Sequence, residues 1–583
     1  MQPAPTVILD DATPGAERLL RFGTAWEVVQ AHRPDEVPGA LARIEAALAT
    51  GRHVAGWFGY ELGYVLEPHI APLQWPGVPL LWFGVFNAPQ PVARADLAAA
   101  GRAYAGPLRH EWDEEAYKSR FDRVHDYIGA GDIYQANLSF RSRFAFAGDP
   151  LALYLRLRDR AQAAHGAYID DGERQILSLS PELFFRITPQ GRIIARPMKG
   201  TAPRGPDELS DARAKAALTQ SPKERAENLM IVDLVRNDVG RLALIGSVAV
   251  EDLFAVETYP TLHTMVSTVT AQLKPATRVE QIVRALFPCG SITGAPKIRA
   301  MEIIREMEES PRGLYCGAIG HFAPDGSANF NVAIRTITIE NGQGTLGIGG
   351  AVVQDSNAQA EYAECLLKAR YFDSIRKPIG LIETLRWEAG FVRRDRHLAR
   401  MQASAEFLSL AFDRDAALSA LSGAVAQARE PLRVRLVLDE QGAFACTAAP
   451  LGPAASRWTF ALSPHRVARG DVLLRHKTTW RELQDEEQAH LGADEALFCN
   501  ERGELTEGSR SNIFVRRGDK VFTPALSCGL LDGVLRRELI EQGQCTEAVL
   551  TPGDLASADE VLLGNSLRGL IRAEPAALAR AVG

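Results

Sequence analysis

The sequence contains no Cys-x-x-Cys pair. Its seven cysteines, Cys289, Cys316, Cys365, Cys446, Cys499, Cys528 and Cys545, are dispersed, which argues against a zinc site built on paired thiolates. An odd, scattered set fits reduced thiols in a cytoplasmic protein, each serving as a small buried apolar residue. No apolar run is long enough to span a bilayer. The stretch MQPAPTVILDDATPG lacks the basic segment and apolar core of a signal peptide, so the expected location is cytoplasmic. A basic excess is missing as well. With 65 Lys and Arg against 72 Asp and Glu the formal charge is -7, which leaves no electrostatic footprint for nucleic acid. Short-period repeats and long low-complexity linkers are absent, which excludes solenoids and arrays.

What is present is ordinary globular composition, 46% hydrophobic and 23% charged, over 583 residues. That length exceeds one hydrophobic core, so several domains are expected. The clearest boundary falls at Arg376-Lys377-Pro378-Ile379-Gly380. A helical pattern from Gln359 to Ile375 precedes it, Pro378 cannot continue that helix, and a strand-like run begins at Leu381. The expected domains are therefore residues 1–378 and 379–583. Both mix strands with helices. Gln175 to Ile187 and Arg192 to Ala195 read as strands about a turn at Pro189-Gln190-Gly191. Asn329 to Ile339 and Thr345 to Val353 read as a hairpin over Asn341-Gly342. Lys223 to Leu242 and His397 to Leu410 read as helices, Leu432 to Leu438 and Glu495 to Cys499 as extended. Ala93 to Gly106 reads as a surface connection and Ala448 to Ser456 as a loop.

The first chemical pattern is a pair of helices. In SPKERAENLMIVDLVRND, Ser221 and Pro222 suit a helix start, and Glu224 and Glu227 share one face. The other helix carries Glu361 and Glu364 at the same spacing, with Lys368 one turn beyond. Four carboxylates on two helices could converge on magnesium, which prefers carboxylate and water oxygens and leaves room for a substrate carboxylate. Either pair alone also reads as a solvated face with Glu–Lys pairing.

Three further segments accompany them: Tyr127-Ile128-Gly129-Ala130-Gly131-Asp132-Ile133-Tyr134-Gln135-Ala136-Asn137, Ala195-Arg196-Pro197-Met198-Lys199-Gly200-Thr201, and Phe287-Pro288-Cys289-Gly290-Ser291-Ile292-Thr293-Gly294-Ala295-Pro296-Lys297. The last is not a phosphate-binding Walker loop, since it lacks the terminal Gly-Lys-Ser/Thr. Its glycines would let backbone approach a small carboxylated ligand. In this order, across roughly residues 110 to 375, the segments resemble the chorismate-utilising enzymes, the family of anthranilate synthase and aminodeoxychorismate synthase component I. Residues 1 to 110 match more loosely.

The resemblance implies an anthranilate-synthase-like chorismate-binding fold, chorismate as substrate and Mg2+ as cofactor. Anthranilate synthases typically carry Ala where this chain has Lys199, within PMKGT. Aminodeoxychorismate synthases carry Lys. Lys199 is thus implied as a nucleophile that attacks the chorismate ring as the C4 hydroxyl leaves, before ammonia displaces it at C4. That chemistry needs a neutral amine, hence a depressed pKa. Glu182, in Ser180-Pro181-Glu182, matches the family's general acid for the C4 hydroxyl and needs a raised pKa. Glu227 and Glu364 are implied as direct magnesium ligands, Glu224 and Glu361 as ligands through water. Arg335 and Tyr315 would hold the enolpyruvyl carboxylate. Thr201 and Lys368 complete the substrate-binding set, and His263 stands where the family keeps an active-site histidine. No Gly-x-Cys-x-Gly elbow of a glutaminase occurs. The ammonia is therefore expected from a separate glutamine amidotransferase subunit or from free solution.

The C-terminal half carries Leu381-Ile382-Glu383-Thr384-Leu385-Arg386, Arg396-His397-Leu398-Ala399-Arg400, His476-Lys477-Thr478-Thr479, Leu505-Thr506-Glu507-Gly508-Ser509-Arg510-Ser511-Asn512-Ile513-Phe514, Thr523-Pro524 through Gly533, and Leu563-Gly564-Asn565-Ser566. These segments resemble the fold-type IV pyridoxal-phosphate enzymes over nearly all of 381 to 575. That family includes branched-chain and D-amino acid transaminases and aminodeoxychorismate lyase. The resemblance implies that Lys477 joins the aldehyde of pyridoxal 5'-phosphate and shuttles protons at Cα. It implies that Glu507 faces the pyridine nitrogen, while Arg400, Ser566 and the backbone N–H groups around Val534 and Leu535 hold the phosphate. Transaminases of the family commonly place Thr at the position of Leu535, so that hydroxyl is lost here.

The fold class expected is α/β (α+β): a chorismate-binding fold followed by a fold-type IV domain whose relatives often dimerise. The function expected is chorismate amination followed by elimination of pyruvate to give 4-aminobenzoate for folate biosynthesis. The motifs do not separate lyase from transaminase. The choice rests on context, because the product of the first half is the lyase's substrate and fusion raises its local concentration. A transaminase in the second half, an anthranilate synthase in the first, or a non-catalytic docking module in the second are the competing readings.

Overall fold

The computed structural model describes residues 5–258, 262–453 and 455–576. The chain divides into two units. The first comprises Met1–Ala98, Pro107–Phe144 and Tyr154–Ile375, the second Ala99–Gly106, Ala145–Leu153 and Arg376–Gly583.

Two antiparallel sheets build the first unit. One runs, in spatial order, Gly294–Ala295, Gln135–Gly148, Gln343–Val352, Thr336–Glu340, Gln175–Ser180, His165–Asp170, Thr6–Asp11, Arg18–Phe22 and Gln90–Val92. The other runs Met198–Pro203, Leu262–Gln272, Arg192–Arg196, Leu183–Ile187, Ala328–Val332, Ala318–Phe322, His53–Phe58, Leu81–Phe86 and Glu27–Ala31. The run His53–Phe58 is almost wholly apolar because both of its faces are covered. Ala55 and Trp57 meet Val7, Ile169 and Ile176 of the facing sheet, whereas Val54 and Phe58 join a core with Leu41, Ile44 and Leu286 from helices on the other side. The two-residue alternation of strand side chains produces this division.

Two stretches that read as single strands are each split between the sheets. Gln175–Ser180 lies in the first sheet and Leu183–Ile187 in the second, with Pro181 and Glu182 between them. Proline has no N–H for a ladder, so pairing ends there. Ala328–Val332 lies in the second sheet and Thr336–Glu340 in the first, and Arg335 at the crossing has φ 49°. The hairpin over Asn341-Gly342 forms as read, with both residues at positive φ.

The helix Pro222–Gly240 starts at Ser221, whose hydroxyl accepts from Glu224 N–H at 3.3 Å. It buries Ile231, Val232, Val235 and Val239. The helix Ala358–Asp373 is capped by Asn357, which accepts from Ala360 N–H at 3.1 Å. It buries Cys365, Ala369 and Phe372, and so turns Glu361, Glu364 and Lys368 elsewhere.

The second unit holds a three-stranded sheet, Leu381–Trp387, Leu432–Leu438 and Phe444–Pro450, and a mixed eight-stranded sheet. The helix Arg394–Leu408 packs Leu398, Met401, Ala405 and Leu408 into a core with Leu381, Leu385, Val434 and Leu436. Residues 93–106 are not merely a surface connection: Ala103–Ala105 forms a buried strand, and Tyr104 meets the Trp480 ring at 6.2 Å. An aromatic between two alanines supplies apolar area that the second unit's core absorbs. Ala448 to Pro450 is strand rather than loop, paired with Leu432–Val434.

Candidate active sites

One cavity of about 250 Å³ opens in the first unit. It is lined by Glu182, Lys199, Thr201, Glu224, Glu227, Tyr315, Arg335, Glu361, Glu364 and Lys368. Of the side chains read from the sequence for this half, only His263 is not among those that line it. His263 is buried, with Nε2 2.9 Å from Asp211 Oδ1 and Nδ1 3.0 Å from Thr258 Oγ1. It alternates with Thr264, which does line the cavity. Asp211 also accepts from Arg204 and from Gly205 N–H. The ring is thereby committed to the helix Glu208–Gln220.

Glu182 sits where the strand breaks. Ser291 Oγ donates to its Oε1 at 2.8 Å, and Met198 N–H approaches the same oxygen at 3.5 Å. Burial pushes its carboxyl up to about 7, against the pull of Ser291, Met198 and the Lys199 charge. A carboxyl held there keeps a large protonated fraction near neutrality. Burial lowers Lys199, and the nearby Lys368 charge adds to this, while Glu227, Glu182 and Glu364 oppose it. Both shifts run in the direction that the sequence reading requires.

The carboxylates of the two helices differ in state. Glu364 pairs with Lys368 Nζ at 2.9 Å. Burial alone would raise its carboxyl, but Lys368 and Lys199 bring it below the ordinary range. Glu224 is raised by burial and then by Glu227, and Glu361 by burial despite its bond to Ser356 at 2.8 Å. Lys368 also donates to the Gly349 carbonyl at 2.9 Å. Gly200 lets its strand approach: at φ +87°, an added Cβ would stand 2.6 Å from Glu224 Oε2. Gly347 is equally constrained, since the Tyr315 ring would lie 2.2 Å from a Cβ there.

The glycines of the 290–294 segment do something other than expected. A Cβ on Gly290 would meet Leu234 at 2.4 Å, and one on Gly294 would meet the Gln135 carbonyl at 2.1 Å. They allow close packing of protein on protein. The segment reaches the cavity through Ser291 and Ile292 instead. Lys297 pairs with buried Asp238 at 2.6 Å.

A second cavity, of about 710 Å³, lies in the other unit. Lys477, Glu507, Arg400, Val534 and Ser566 line it, whereas the Leu535 side chain packs into the core with Phe514 and Leu562. Lys477 is brought there because its segment pairs with the strand Leu381–Trp387: the Lys477 carbonyl accepts from Ile382 N–H at 2.8 Å. Burial, then the charges of Arg400 and Arg481, lower its amine to about 8. Burial raises Glu507 to about 7, opposed by a backbone bond from Leu531 and by the Lys477 charge. Gly533 caps the helix Val534–Glu541, whose first-turn N–H groups have no partners within the helix. A Cβ on Gly533 would stand 1.9 Å from Asn512 Oδ1.

Sequence reasoning assigned no role to Glu383 and His397, which stand behind this site. Glu383 Oε1 accepts from Arg400 Nε at 2.8 Å and Oε2 from Arg400 Nη2 at 2.7 Å. His397 lies 2.5 Å from Glu383 by Nδ1 and 2.8 Å from Ser566 Oγ by Nε2. The signal was a charged residue at a buried strand position, with His397 and Arg400 three apart on one helix face. Arg433 and Arg435 were also missed. Both are exposed, line the cavity from one face of the three-stranded sheet, and make no ion pair among the described residues.

Residues 7–373 match the chorismate binding enzyme family, and residues 380–574 match amino-transferase class IV. Aminodeoxychorismate synthase component 1 of Escherichia coli (strain K12) is 44% identical over 280 residues, 47% of this chain and 60% of that protein. The protein of that name from Klebsiella aerogenes is 41% identical over 309 residues, 53% of this chain and 65% of that one. The chain thus spans less than two thirds of the length of either relative. In solved structures, anthranilate synthase component I from Streptococcus pneumoniae TIGR4 shares the fold, with TM-score 0.50 at 23% identity over 64% of this chain and 92% of its own. With residues 7–373, more than half of its length, matched, the chain belongs to the chorismate binding enzyme family, and it carries a class IV aminotransferase-like fold after it.

Proposed function

We propose that the chain makes 4-aminobenzoate in two steps. Residues 1–378 aminate chorismate with ammonia to 4-amino-4-deoxychorismate, releasing water. Residues 379–583 eliminate pyruvate from that product. The observation that carries the first step is the convergence of Lys199 and Glu182 on one cavity with four glutamates. Glu182 donates its proton to the departing C4 hydroxyl. Lys199, kept neutral, attacks the ring, and ammonia then displaces the lysine at C4. Arg335 and Tyr315 hold the enolpyruvyl carboxylate. Thr201 and Lys368 line the same cavity. The 44% identity to a protein named aminodeoxychorismate synthase component 1 supports this reading over anthranilate synthesis.

Magnesium suits the glutamates. Among the described residues no group of three or more His, Cys, Asp or Glu side chains is placed to hold a metal ion by itself. Magnesium does not need one, since it retains waters and shares ligands with its substrate. Glu227 and Glu364 would bind it directly and Glu224 and Glu361 through water, where it would neutralise substrate carboxylate charge. Ammonia would come from a glutamine amidotransferase subunit or from solution. The Asp211 and Thr258 contacts support a role for His263 in holding the strand Leu262–Gln272 rather than in touching the substrate.

For the second step the donors fit pyridoxal 5'-phosphate: an amine, a carboxyl for the pyridine nitrogen, a guanidinium, a hydroxyl and a helix N-terminus line one cavity. Bound there, the cofactor would act as an electron sink for bond changes in the substrate. Lys477 would carry the proton to and from the substrate carbon, Glu507 would keep the ring nitrogen protonated, and Arg400, Ser566 and the Val534 and Leu535 N–H groups would hold the phosphate. Arg433 and Arg435 favour elimination over branched-chain transamination, because aminodeoxychorismate brings two carboxylates and a branched-chain amino acid one. The proposal includes a homodimer through the second unit and a cytoplasmic location. No helix among the described residues is long and apolar enough to cross a membrane.

The test is product identification from chorismate and ammonium with added Mg2+ and pyridoxal 5'-phosphate. Wild type should yield 4-aminobenzoate and pyruvate, Lys477→Ala should accumulate aminodeoxychorismate, and Lys199→Ala should yield neither. An ortho-substituted product, or accumulation of aminodeoxychorismate by wild type, would overturn one or the other step.

A further inference from the structure

The chain Glu383, His397, Ser566 poses a question of hydrogen direction. The carboxylate of Glu383 is buried and accepts both Arg400 nitrogens. Burial alone would raise its pKa, but Arg400 and His397 outweigh that and hold it down at about 2. Ionised, it has no hydrogen to give, so His397 Nδ1 must carry the hydrogen of the 2.5 Å contact. What remains open is Nε2, 2.8 Å from Ser566 Oγ. In a neutral ring Nε2 is bare and accepts the Ser566 hydrogen, so the hydroxyl shows only lone pairs to the cavity. In a protonated ring Nε2 donates to Ser566, and the hydroxyl hydrogen is released. A phosphate dianion offers only acceptors, so Ser566 can bond it and keep its contact with His397 only in the second state.

Resting on the reading of this cavity as a pyridoxal-phosphate site, we propose that His397 is a positioning residue that takes up a proton when a phosphate monoester binds and thereby turns Ser566 into a donor. The surroundings permit the added charge. Glu383 faces His397 from the strand Leu381–Trp387 and Arg400 from its own helix, and the two charges offset each other. Arg393, at the head of that helix, reaches the Ser566 carbonyl at 3.4 Å and is offset by Glu538 at 2.6 Å. Lys477 and Glu507 line the same cavity with opposite charges available to them. The arriving dianion tips this balance toward the imidazolium, and by linkage protonation tightens the anion.

The experiment is titration calorimetry of the full chain with pyridoxine 5'-phosphate near pH 8, in two buffers of different ionisation enthalpy. This ligand lacks the aldehyde, so Lys477 forms no bond to it, and its phosphate is already a dianion at that pH. Any proton gained at the ring nitrogen beside Glu507 is common to wild type and Ser566→Ala and cancels in their difference. The expected result is that wild type takes up more protons than Ser566→Ala, by a fraction approaching one, and binds roughly tenfold or more tightly. His397→Gln should lose the same uptake. If that variant does not fold, Ser566→Ala carries the test, because it leaves the His397–Glu383 pair in place. Equal uptake by wild type and Ser566→Ala would overturn the inference and leave the cofactor reading standing. Failure of wild type to bind either pyridoxine 5'-phosphate or pyridoxal 5'-phosphate would overturn both.

Discussion

Glu182 and Arg335 stand at two of the places where the chain of the first unit passes from one sheet to the other, and the backbone links those two places. Val332 N–H donates to the Glu182 carbonyl and Leu179 N–H to the Arg335 carbonyl, each at 3.1 Å. At these crossings the strands change sheet, and the Glu182 and Arg335 side chains both line the cavity. Arg335 also holds a left-handed φ of 49°, a conformation that costs a non-glycine residue about 1 kcal/mol or more. The proposed acid and the proposed carboxylate-binding guanidinium are therefore placed by one structural event, repeated in two neighbouring strand pairs.

The carboxyl of Glu182, raised to about 7 by burial, gives a pH profile with a definite sign. The protonated form is the donor, and it is lost as pH rises through that value. At constant dissolved ammonia concentration, kcat/KM for amination should fall above about pH 7. Glu182→Gln should lower the rate by about 10²–10⁴ and abolish that limb. Ser291 stabilises the ionised form through its 2.8 Å bond. Ser291→Ala should therefore move the falling limb to higher pH, and a limb that stays put would show that another group titrates.

Gly200 separates Lys199 from Thr201 and faces Glu224, with room for no side chain: a Cβ would lie 2.6 Å from Glu224 Oε2. Gly200→Ala should displace Glu224, raise the Mg2+ concentration giving half-maximal amination by at least about tenfold, and strain a φ of +87°. The second step, assayed with supplied aminodeoxychorismate, should keep its rate. Equal losses in both steps would mean global damage rather than a local one.

Residue spacing carried much of this site. The i, i+3 glutamates and Lys368 shared helix faces as read, because a helix with one apolar stripe leaves little choice about where its charges go. Spacing could not reveal that Gln175 to Ile187 belongs to two sheets, since both halves keep the same two-residue alternation and only Pro181 marks the break. It could not orient His263 either. On a strand, adjacent residues face opposite ways, and the motif fixes Thr264 and His263 together without saying which one meets the cavity. Glu383 looked like one more polar residue in an apolar strand. Its partners His397 and Arg400 come from a helix 14 to 17 residues later, and such pairing exists only in three dimensions.

Glu383 also governs acid stability. Its folded-state carboxyl, at about 2, lies below the value of about 4.5 taken for an unperturbed glutamate. A depressed carboxylate contributes stability that is fully present above the unfolded value and is lost as pH falls toward the folded one. The difference corresponds to roughly 3 kcal/mol. Thermal unfolding of the second unit should therefore steepen in its pH dependence between about 4.5 and 2. Glu383→Gln should flatten that dependence and destabilise the protein at pH 7 by about 3–5 kcal/mol, because Arg400 is left buried without its counter-charge.

Arg433 and Arg435 line the second cavity and bring positive charge to it. They alternate on the strand Leu432–Leu438 with buried Val434 and Leu436, so both point to one face, and Arg433 stands opposite Arg386 across the sheet. Arg386 is paired with Glu388, so among the described residues Arg433 and Arg435 are the cavity-lining cations on this face with no acidic partner. Two guanidiniums without carboxylate partners thus form a receptor for a substrate richer in carboxylate than a simple amino acid. Arg433→Ala and Arg435→Ala should each raise KM for aminodeoxychorismate by roughly ten- to a hundredfold, the worth of a charged hydrogen bond. The visible absorbance of bound cofactor should not change, since Lys477, Glu507 and Arg400 are untouched. Activity with a branched-chain amino acid should stay negligible in wild type and rise, if at all, only when the arginines are removed. An unchanged KM in both variants would show that the substrate's carboxylates are met elsewhere, and would reopen the transaminase reading for this half of the chain.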